Sequence, residues 1–150
     1  MIYRIAAKGI LEQDNKILFV QYSDTKGIYY SLPGGKHETG ESLSDTVVRE
    51  FKEETCLDVR TEKIVMIREF ISNNPDVEIW SGGIHQVETI FMCSLLDNNQ
   101  KVGEATVPDT GMHCTKWIYK NDLKNFKIYP TNELAELLEK NSIAYLFTNS

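Results

Sequence analysis

The sequence is poor in the residues that mark several specialised classes of protein. It has three cysteines, Cys56, Cys93 and Cys114, without paired spacing, so neither a disulfide framework nor a zinc ribbon is indicated. We expect reduced thiols, with Cys93 a small core residue in an apolar run. The three histidines are scattered and match no zinc-site spacing.

The sequence also lacks long hydrophobic runs and an excess of positive charge. No apolar run approaches the roughly 20 residues that span a bilayer, so no membrane partner is expected. The start, Met1–Ile5, lacks a signal-peptide layout, and we therefore expect a cytoplasmic protein. The net charge of −6 argues against duplex nucleic acid as a partner, because duplexes are bound through basic patches. It does not exclude a nucleotide, since divalent cations can bridge acidic side chains and phosphates.

The composition that remains is that of an ordinary globular domain. The chain has 150 residues, of which 41% are hydrophobic and 25% charged. Nothing along it repeats, and no stretch has the composition of a linker. We therefore predict a single domain over residues 1–150.

The hydrophobic pattern predicts several strands and two long loops. The third predicted strand, Tyr29–Leu32, is short because Pro33-Gly34-Gly35 is expected to stop it. The loops are predicted at Ser72–Gly83 and Asp97–His113. The predicted strands are Tyr3–Leu11, Lys16–Tyr22, Tyr29–Leu32, Asp58–Ile71, His85–Leu96 and Thr115–Tyr119.

Two helices are predicted, one inside the chain and one near its end. The first begins at Ser42 or its neighbour and continues to about Thr55. The second opens at Pro130-Thr131-Asn132 and carries Leu134, Leu137 and Leu138 on one face. Strands separated by these helices predict a mixed sheet between helices.

The segment from Gly35 to Leu57 carries glycine, glutamate and arginine at fixed spacing. It follows the pattern G-x5-E-x7-R-E-U-x-E-E-x-G-U, in which U is a bulky apolar residue, except that Cys56 replaces the second glycine. On these residues the sequence resembles the Nudix hydrolase family. The resemblance implies an α/β (α+β) fold, a Nudix-like α/β/α sandwich with a mixed β-sheet. The matching positions are Gly35, Glu41, Arg49, Glu50, Phe51, Glu53, Glu54 and Leu57.

The three glutamates of the predicted helix have the pattern of a metal site. At about 100° per residue, Glu50, Glu53 and Glu54 share one arc at the edge of the apolar face. Such a cluster alone is usually solvated surface. Here it is unfavourable for the helix, because like charges repel and carboxylates near the C-terminus oppose the macrodipole. A divalent cation would reverse both effects, and an oxygen-only site suits Mg²⁺ or Mn²⁺.

The family resemblance implies a role for each residue of the segment. The metal ligands would be Glu50, Glu53, Glu54 and the Gly35 carbonyl, while the catalytic set would be Glu41, Arg49, Glu50 and Glu53. Within that set Arg49 would hold a carboxylate in place and Glu41 would support the loop. We favour Glu50 as the general base, with Glu104 and Asp109 as alternatives from the second long loop.

The implied activity is hydrolysis of the diphosphate linkage of a nucleoside diphosphate joined to another moiety, or of a nucleoside triphosphate. ADP-ribose and nucleotide sugars are among the open substrates. The alternatives are a Nudix-like binding or regulatory module without catalysis, and an isoprenoid diphosphate isomerase on the same fold. The partner would be a small nucleotide-type molecule, and a homodimer is one possible assembly.

Substrate contacts are predicted outside the glutamate cluster as well. Gly34 allows a polyphosphate to approach the backbone closely. Trp80, in a glycine-rich loop, is the best candidate to stack on a base, and Glu104 and Asp109 lie in the other loop. His37 is expected to be exposed to solvent.

Cys56 is expected to end the helix with a positive φ. Glycine adopts that conformation without cost, whereas cysteine should lose on the order of 1 kcal/mol. The substitution should affect local stability more than metal binding.

Overall fold

The computed structural model describes residues 1–73 and 82–150. Trp80 lies outside the described residues, as does most of the loop predicted at Ser72–Gly83. Within the described ranges, no helix is long and apolar enough to cross a membrane.

The chain begins with a long β-hairpin. Strand β1 (Ile2–Gln13) pairs antiparallel with β2 (Lys16–Asp24) near the turn. Asp14 and Asn15 form that turn with φ values of 51° and 64°, the left-handed conformation that suits the twist of a two-residue hairpin. The strands predicted at Tyr3–Leu11 and Lys16–Tyr22 are confirmed, and both are longer than expected.

The sheet built on this hairpin is mixed. Its strand order is β8-β3-β2-β1-β6-β5-β9, with β4 paired to β1 and β7 paired to β2. Three pairs are parallel, namely β1 with β6, β3 with β8 and β5 with β9. The predicted mixed sheet is therefore confirmed. The remaining strands are β3 (Gly27–Ser31), β4 (Gly34–Lys36), β5 (Val59–Ser72), β6 (Ile84–Leu95), β7 (Met112–Tyr119), β8 (Ile128–Tyr129) and β9 (Ala144–Asn149).

Helices cover the sheet on both faces. Helix α1 (Leu43–Thr55) buries Val47 and Phe51 in a core cluster that includes Leu18 of β2. Phe19, the next residue of β2, points to the opposite cluster, which contains Leu134 of α2 (Leu134–Glu139). Neighbouring strand residues face opposite sides of a sheet, so the two clusters form two separate layers. The predicted α/β/α sandwich is confirmed.

The structure departs from the sequence-based elements in several places, among them the unpredicted strand β8. Gly34–Lys36, expected only to stop a strand, forms β4 itself. The final strand β9 was not predicted, and β7 begins at Met112, inside the predicted loop. A 3-10 helix at Lys120–Asn125 was also not predicted.

The second helix is shorter than predicted because Asn132 bonds elsewhere. Its Nδ2 donates to the carbonyl oxygens of Leu123 and Phe126, at 3.2 and 2.6 Å. Its Oδ1 accepts from the backbone N–H of Ile128 at 3.3 Å. The side chain therefore fastens the preceding turn and does not cap the helix, which begins only at Leu134.

Candidate active site

Two glycines bring β4 into contact with β1 and helix α1. Gly34 has a φ of 143°, and a Cβ there would collide with the backbone of Ala7 and Lys8. A Cβ on Gly35 would lie 2.5 Å from Oε1 of Glu50. Only glycine therefore allows the Glu50 carboxyl to lie directly against this strand.

Glu54 is the most deeply buried acidic group of the site. Its exposed fraction is 2%, and its Oε1 accepts a hydrogen bond from the Gly34 N–H at 3.1 Å. Its Oε2 is buried and has no hydrogen-bond partner among the described residues. Burial raises the pKa of Glu54 well above its usual range; the charge of Lys8 opposes this shift and that of Glu50 adds to it. An acid in this environment strongly favours a nearby cation.

Glu50 and Glu53 are held by one guanidinium. Nη1 of Arg49 donates to Oε1 of Glu50 at 3.0 Å and to Oε2 of Glu53 at 3.5 Å. The side chains of Glu50 and Glu53 are 13% and 31% exposed. Burial raises the pKa of Glu50, against the effects of its contacts with Glu54 and Arg49.

Glu41 fixes the other side of the same guanidinium. Its carboxylate accepts hydrogen bonds from Nε and Nη2 of Arg49, and from the Glu38 N–H at 3.2 Å. Nη2 also donates to the carbonyl oxygen of Lys36 at 3.1 Å. The hydrogen bonds from Arg49 come first among the causes that lower the pKa of Glu41 to about 2. The loop before α1 is thereby fastened to the helix.

These groups fit a divalent cation in chemistry, although they do not form a complete ligand set. Glu50 and Glu54 lie within hydrogen-bonding reach of each other, and Oε2 of Glu54 lacks a partner in the described ranges. Glu53 is turned towards Arg49. In residues 1–73 and 82–150, no three Asp, Glu, His or Cys side chains are already arranged to hold a metal ion. The oxygen-only donors nevertheless suit a hard cation, which would satisfy the buried oxygen.

A cleft of about 730 Å³ opens beside Glu54. One wall is the loop that contains Glu104, which is tied to the end of α1. The Gly103 and Thr106 N–H groups donate to the carbonyl oxygens of Thr55 and Glu53, at 2.8 and 2.7 Å. The loop thus satisfies helix carbonyls that would otherwise lack partners. The cleft is lined by Glu54, Val102, Gly103, Glu104, Ala105, Pro108, Met112, Cys114 and Thr115.

Asp109 lies in an exposed part of this loop, and its charge acts on a pair of tyrosines in β2 and β3. The rings of Tyr22 and Tyr29 stack with centroids 5.4 Å apart and planes at 11°. Burial, and then the charges of Glu54 and Asp109, raise the pKa of Tyr22 far above its usual value. Tyr22 is therefore close enough to the acidic groups of the site for their charges to act on it. The two tyrosines face each other across the β2–β3 ladder, but that register cannot be fixed from the pattern alone.

Lys8 is a second residue that the sequence did not single out. Its Nζ donates to Oγ of Ser31 and to the carbonyl oxygen of Leu32, at 3.2 and 3.3 Å. Its charge acts on Glu54 against the effect of burial. The signal that could have identified Lys8 from the sequence was the presence of one lysine in the apolar run of β1.

Two predictions about single residues have clear outcomes. Cys56 ends α1 with φ 62° and ψ 9°, the left-handed conformation expected of it. Its thiol also donates to the carbonyl oxygen of Glu104 at 3.0 Å. His37, expected to be exposed, is partly buried, because its Nδ1 lies 2.9 Å from Oγ1 of Thr46. The prediction for His37 was wrong because the ring folds back onto α1.

The fold, together with the acidic residues of the Gly35–Leu57 segment, defines a Nudix protein. The sequence model of the NUDIX domain matches residues 2–143, and the chain belongs to that family. The resemblance carried by Gly35–Leu57 is thereby confirmed. Nudix hydrolases use divalent metal ions.

One curated relative is the ADP-ribose pyrophosphatase of Methanocaldococcus jannaschii. The two proteins are 32% identical over 102 residues, which are 67% of this chain and 56% of the relative. The match thus spans little more than half the length of that protein.

Solved structures agree in fold. An ADP-ribose pyrophosphatase from Streptococcus suis superimposes with a TM-score of 0.62 at 25% identity, covering 97% of this chain and 98% of its own. A Nudix hydrolase from Nitrosomonas europaea gives a TM-score of 0.70 at 18% identity, covering 98% of this chain and 79% of its own. The second likeness shows the fold alone.

Proposed function

We propose that this chain is a divalent-metal-dependent pyrophosphohydrolase that cleaves the diphosphate linkage of a nucleoside diphosphate derivative. The observation that carries the proposal is the Glu54 carboxyl, buried beside Glu50 with one oxygen that has no partner in the described ranges. A buried polar atom without a partner costs roughly 1–3 kcal/mol or more for a charged group. A fold that served only stability would place an apolar residue there.

Mg²⁺, or Mn²⁺ in its place, is the ion that we propose. Glu50, Glu53, Glu54 and the Gly35 carbonyl would hold it, with Glu53 released from its contact with Arg49. When bound, such an ion neutralises charge on the diphosphate and lowers the pKa of water. All of the proposed ligands are oxygens, as Mg²⁺ prefers.

The residues of the chain have distinct proposed roles around that ion. Arg49 orients Glu50 through its Nη1 contact, while Glu41 keeps the guanidinium in place. Glu50 acts as the general base and takes the proton of the attacking water. Because the pKa of Glu50 is raised, it lies closer to a neutral working pH, and a general base is most effective when its pKa is near that pH. Glu104 and Asp109, both exposed, remain the alternatives for that role.

The substrate that we place first is ADP-ribose, followed by nucleotide sugars and nucleoside triphosphates. Two of the similar proteins are named ADP-ribose pyrophosphatases. The cleft beside Glu54 has the volume of a small-molecule site. We propose that Gly34, Glu104 and Asp109 contact the substrate, and the role proposed for Trp80 stays a prediction.

The test is a substrate screen read by product mass. The purified chain would be incubated with Mg²⁺ and ADP-ribose, nucleotide sugars, dinucleoside polyphosphates or nucleoside triphosphates. We expect a nucleoside monophosphate together with a phosphorylated remainder, or with diphosphate from a triphosphate. Binding of these compounds without turnover of any would favour the binding module over the enzyme.

A further inference from the structure

We propose that His37 and Thr46 are positioning residues for the metal site. They act through a series of hydrogen bonds that continues through Glu41 and Arg49 to Glu50. The inference rests on the proposed function, because it concerns the residues that would hold the ion. It goes beyond that function by extending the site to two side chains at positions of the Gly35–Leu57 segment that the family pattern leaves unspecified.

Thr46 is the central link of this series. The residue is fully buried, and its Oγ1 lies 2.8 Å from Oε2 of Glu41 and 2.9 Å from Nδ1 of His37. A hydroxyl has one proton to donate, and a carboxylate beside a guanidinium can only accept. The Thr46 hydroxyl also lies 3.3 Å from the Ser42 carbonyl oxygen, but its contact with Glu41 is the shorter and is taken as the donated bond. The Nδ1–H of His37 then donates to Thr46. The hydroxyl cannot be replaced by a methyl group without breaking both bonds.

His37 connects the loop between β4 and α1 to two elements of the fold, β1 and α1. Its backbone N–H donates to the carbonyl oxygen of Ile5 in β1 at 3.0 Å, while its ring contacts Thr46 on α1. The proposed carbonyl ligand Gly35 lies two positions earlier in the chain. The contact of the ring with the helix thus ties the segment that follows that carbonyl to α1, which carries the carboxylates.

The far end of the series reaches the proposed ligands. Glu41 shares its two oxygens among Thr46, Arg49 and the Glu38 N–H, so the Thr46 hydroxyl helps to fix the carboxylate that orients the guanidinium. Arg49 then places Glu50 through the 3.0 Å contact of its Nη1. Removing a group that hydrogen-bonds directly to a ligand, as Arg49 does to Glu50, typically changes metal affinity or activity by about 10–100-fold. Thr46 and His37 act through Arg49, so we expect their removal to have an effect at the lower end of that range.

Two pairs of variants separate the hydrogen bond from the shape of the side chain. His37→Asn keeps an N–H donor near the position of Nδ1, whereas His37→Leu removes it. Thr46→Ser keeps the hydroxyl, whereas Thr46→Val replaces it with a methyl group of the same shape. Each protein would be titrated with Mn²⁺ and followed by electron paramagnetic resonance. Turnover would be measured at saturating Mg²⁺, and the melting temperature in chelator.

We expect His37→Leu and Thr46→Val to bind Mn²⁺ about 10-fold more weakly and to lose kcat more than they raise KM. His37→Asn and Thr46→Ser should stay within about threefold of the parent, well short of that loss. If His37→Leu and Thr46→Val kept the parent's Mn²⁺ affinity, the inference would be overturned, even if both melted earlier. It would also be overturned if His37→Asn and Thr46→Ser were as impaired as His37→Leu and Thr46→Val. A parent that binds Mn²⁺ but hydrolyses no compound of the screen would contradict the proposed function alone.

Discussion

At the scale of single residues, Glu54 links stability, pH and metal binding. Its folded-state pKa is raised above the unfolded value, so between those two values the native state holds a proton that the unfolded state has lost. The stability that this proton confers is complete below the unfolded pKa and is lost as the pH rises through the folded pKa. Metal binding needs the ionised carboxylate, so metal affinity should rise over the same window.

The variant Glu54→Gln tests this coupling. We expect the chelated variant to melt at a higher temperature than the parent at pH 8, with a smaller dependence on pH, because a buried charge is removed. Its kcat should fall at least about 10²-fold, the size of losing electrostatic stabilisation at a reacting centre. Calorimetry in chelator and steady-state kinetics measure the two effects.

Glu53→Gln is the matched control, because Glu53 is more exposed than Glu54. It should lose activity to a similar degree, with little change in the melting temperature of the metal-free protein. Turnover within a few-fold of the parent in both variants would show that neither Glu53 nor Glu54 takes part in the reaction.

Cys56 offers a prediction about backbone strain. Its φ of 62° costs roughly 1–2 kcal/mol for a residue other than glycine. The weak hydrogen bond from its thiol to the Glu104 carbonyl oxygen offsets part of that cost. Cys56→Gly should therefore raise the free energy of unfolding by up to about 1 kcal/mol without changing metal affinity. Urea unfolding measures the change.

The control for Cys56→Gly is Cys56→Ala, which keeps the strain and loses the thiol. That variant should be less stable than the parent. If the glycine variant also proved less stable, the thiol contact would outweigh the strain.

The sequence predicted some of these residues and not others for a physical reason. The glutamates and Cys56 lie at fixed positions along one helix, where spacing determines direction. Lys8 and Tyr22 come from strands, and their approach to Glu54 depends on which strands become neighbours. His37 was predicted as exposed because its partner Thr46 is brought to it only when the loop folds back.

At the scale of elements, the site depends on the contact between β4 and α1. The sequence predicted α1 closely, because Ser42 and Asp45 form a capping box at its start. It did not predict β4, since two adjacent glycines favour a turn. Their use in a strand comes from two close approaches, that of the Ala7–Lys8 backbone to Gly34 and that of Glu50 to Gly35.

Gly35→Ala tests this contact. The added Cβ would lie 2.5 Å from Oε1 of Glu50 and would push the carboxyl aside. We expect the variant to fold and to lose about 10-fold or more in Mn²⁺ affinity, as when a ligand is displaced from its position. Circular dichroism and Mn²⁺ titration report these two properties.

Gly82→Ala is the control for this test, because among residues 1–73 and 82–150 the Cβ there meets only the Met1 backbone nitrogen, at 3.4 Å. Mn²⁺ affinity should be unchanged in that variant. Equal affinity in the Gly35 variant would mean that Glu50 takes no part in holding the ion.

At the scale of the whole molecule, the sheet and both helix layers could be predicted from the hydrophobic pattern. The strands at the two edges of the sheet, β8 and β9, could not. Strand β9 pairs parallel with β5, more than 70 positions earlier in the chain, and such a partner leaves no local signal. The loop that carries Glu104 was predicted as a loop, but its attachment to the end of α1 depends on the finished fold.

Metal removal should affect the whole molecule. A ligand present at 100 times its dissociation constant stabilises the folded state by about 2.7 kcal/mol. For a domain of this size that corresponds to a rise of roughly 5–11 °C in melting temperature. We expect Mg²⁺ or Mn²⁺ to raise the melting temperature of the parent and not that of Glu54→Gln. Undiminished turnover in a metal-stripped, chelated preparation would exclude the metal mechanism.

Hydrolysis in ¹⁸O-labelled water tests directly whether the chain cleaves the diphosphate linkage of its substrate. With Mg²⁺ and ADP-ribose, or whichever nucleoside diphosphate derivative the screen selects, water should attack a phosphorus atom of the diphosphate. We predict one ¹⁸O atom in the nucleoside monophosphate or in the phosphorylated remainder, and no labelled product when chelator is present. Label found in inorganic phosphate alone would contradict diphosphate cleavage, and with it this account of the site.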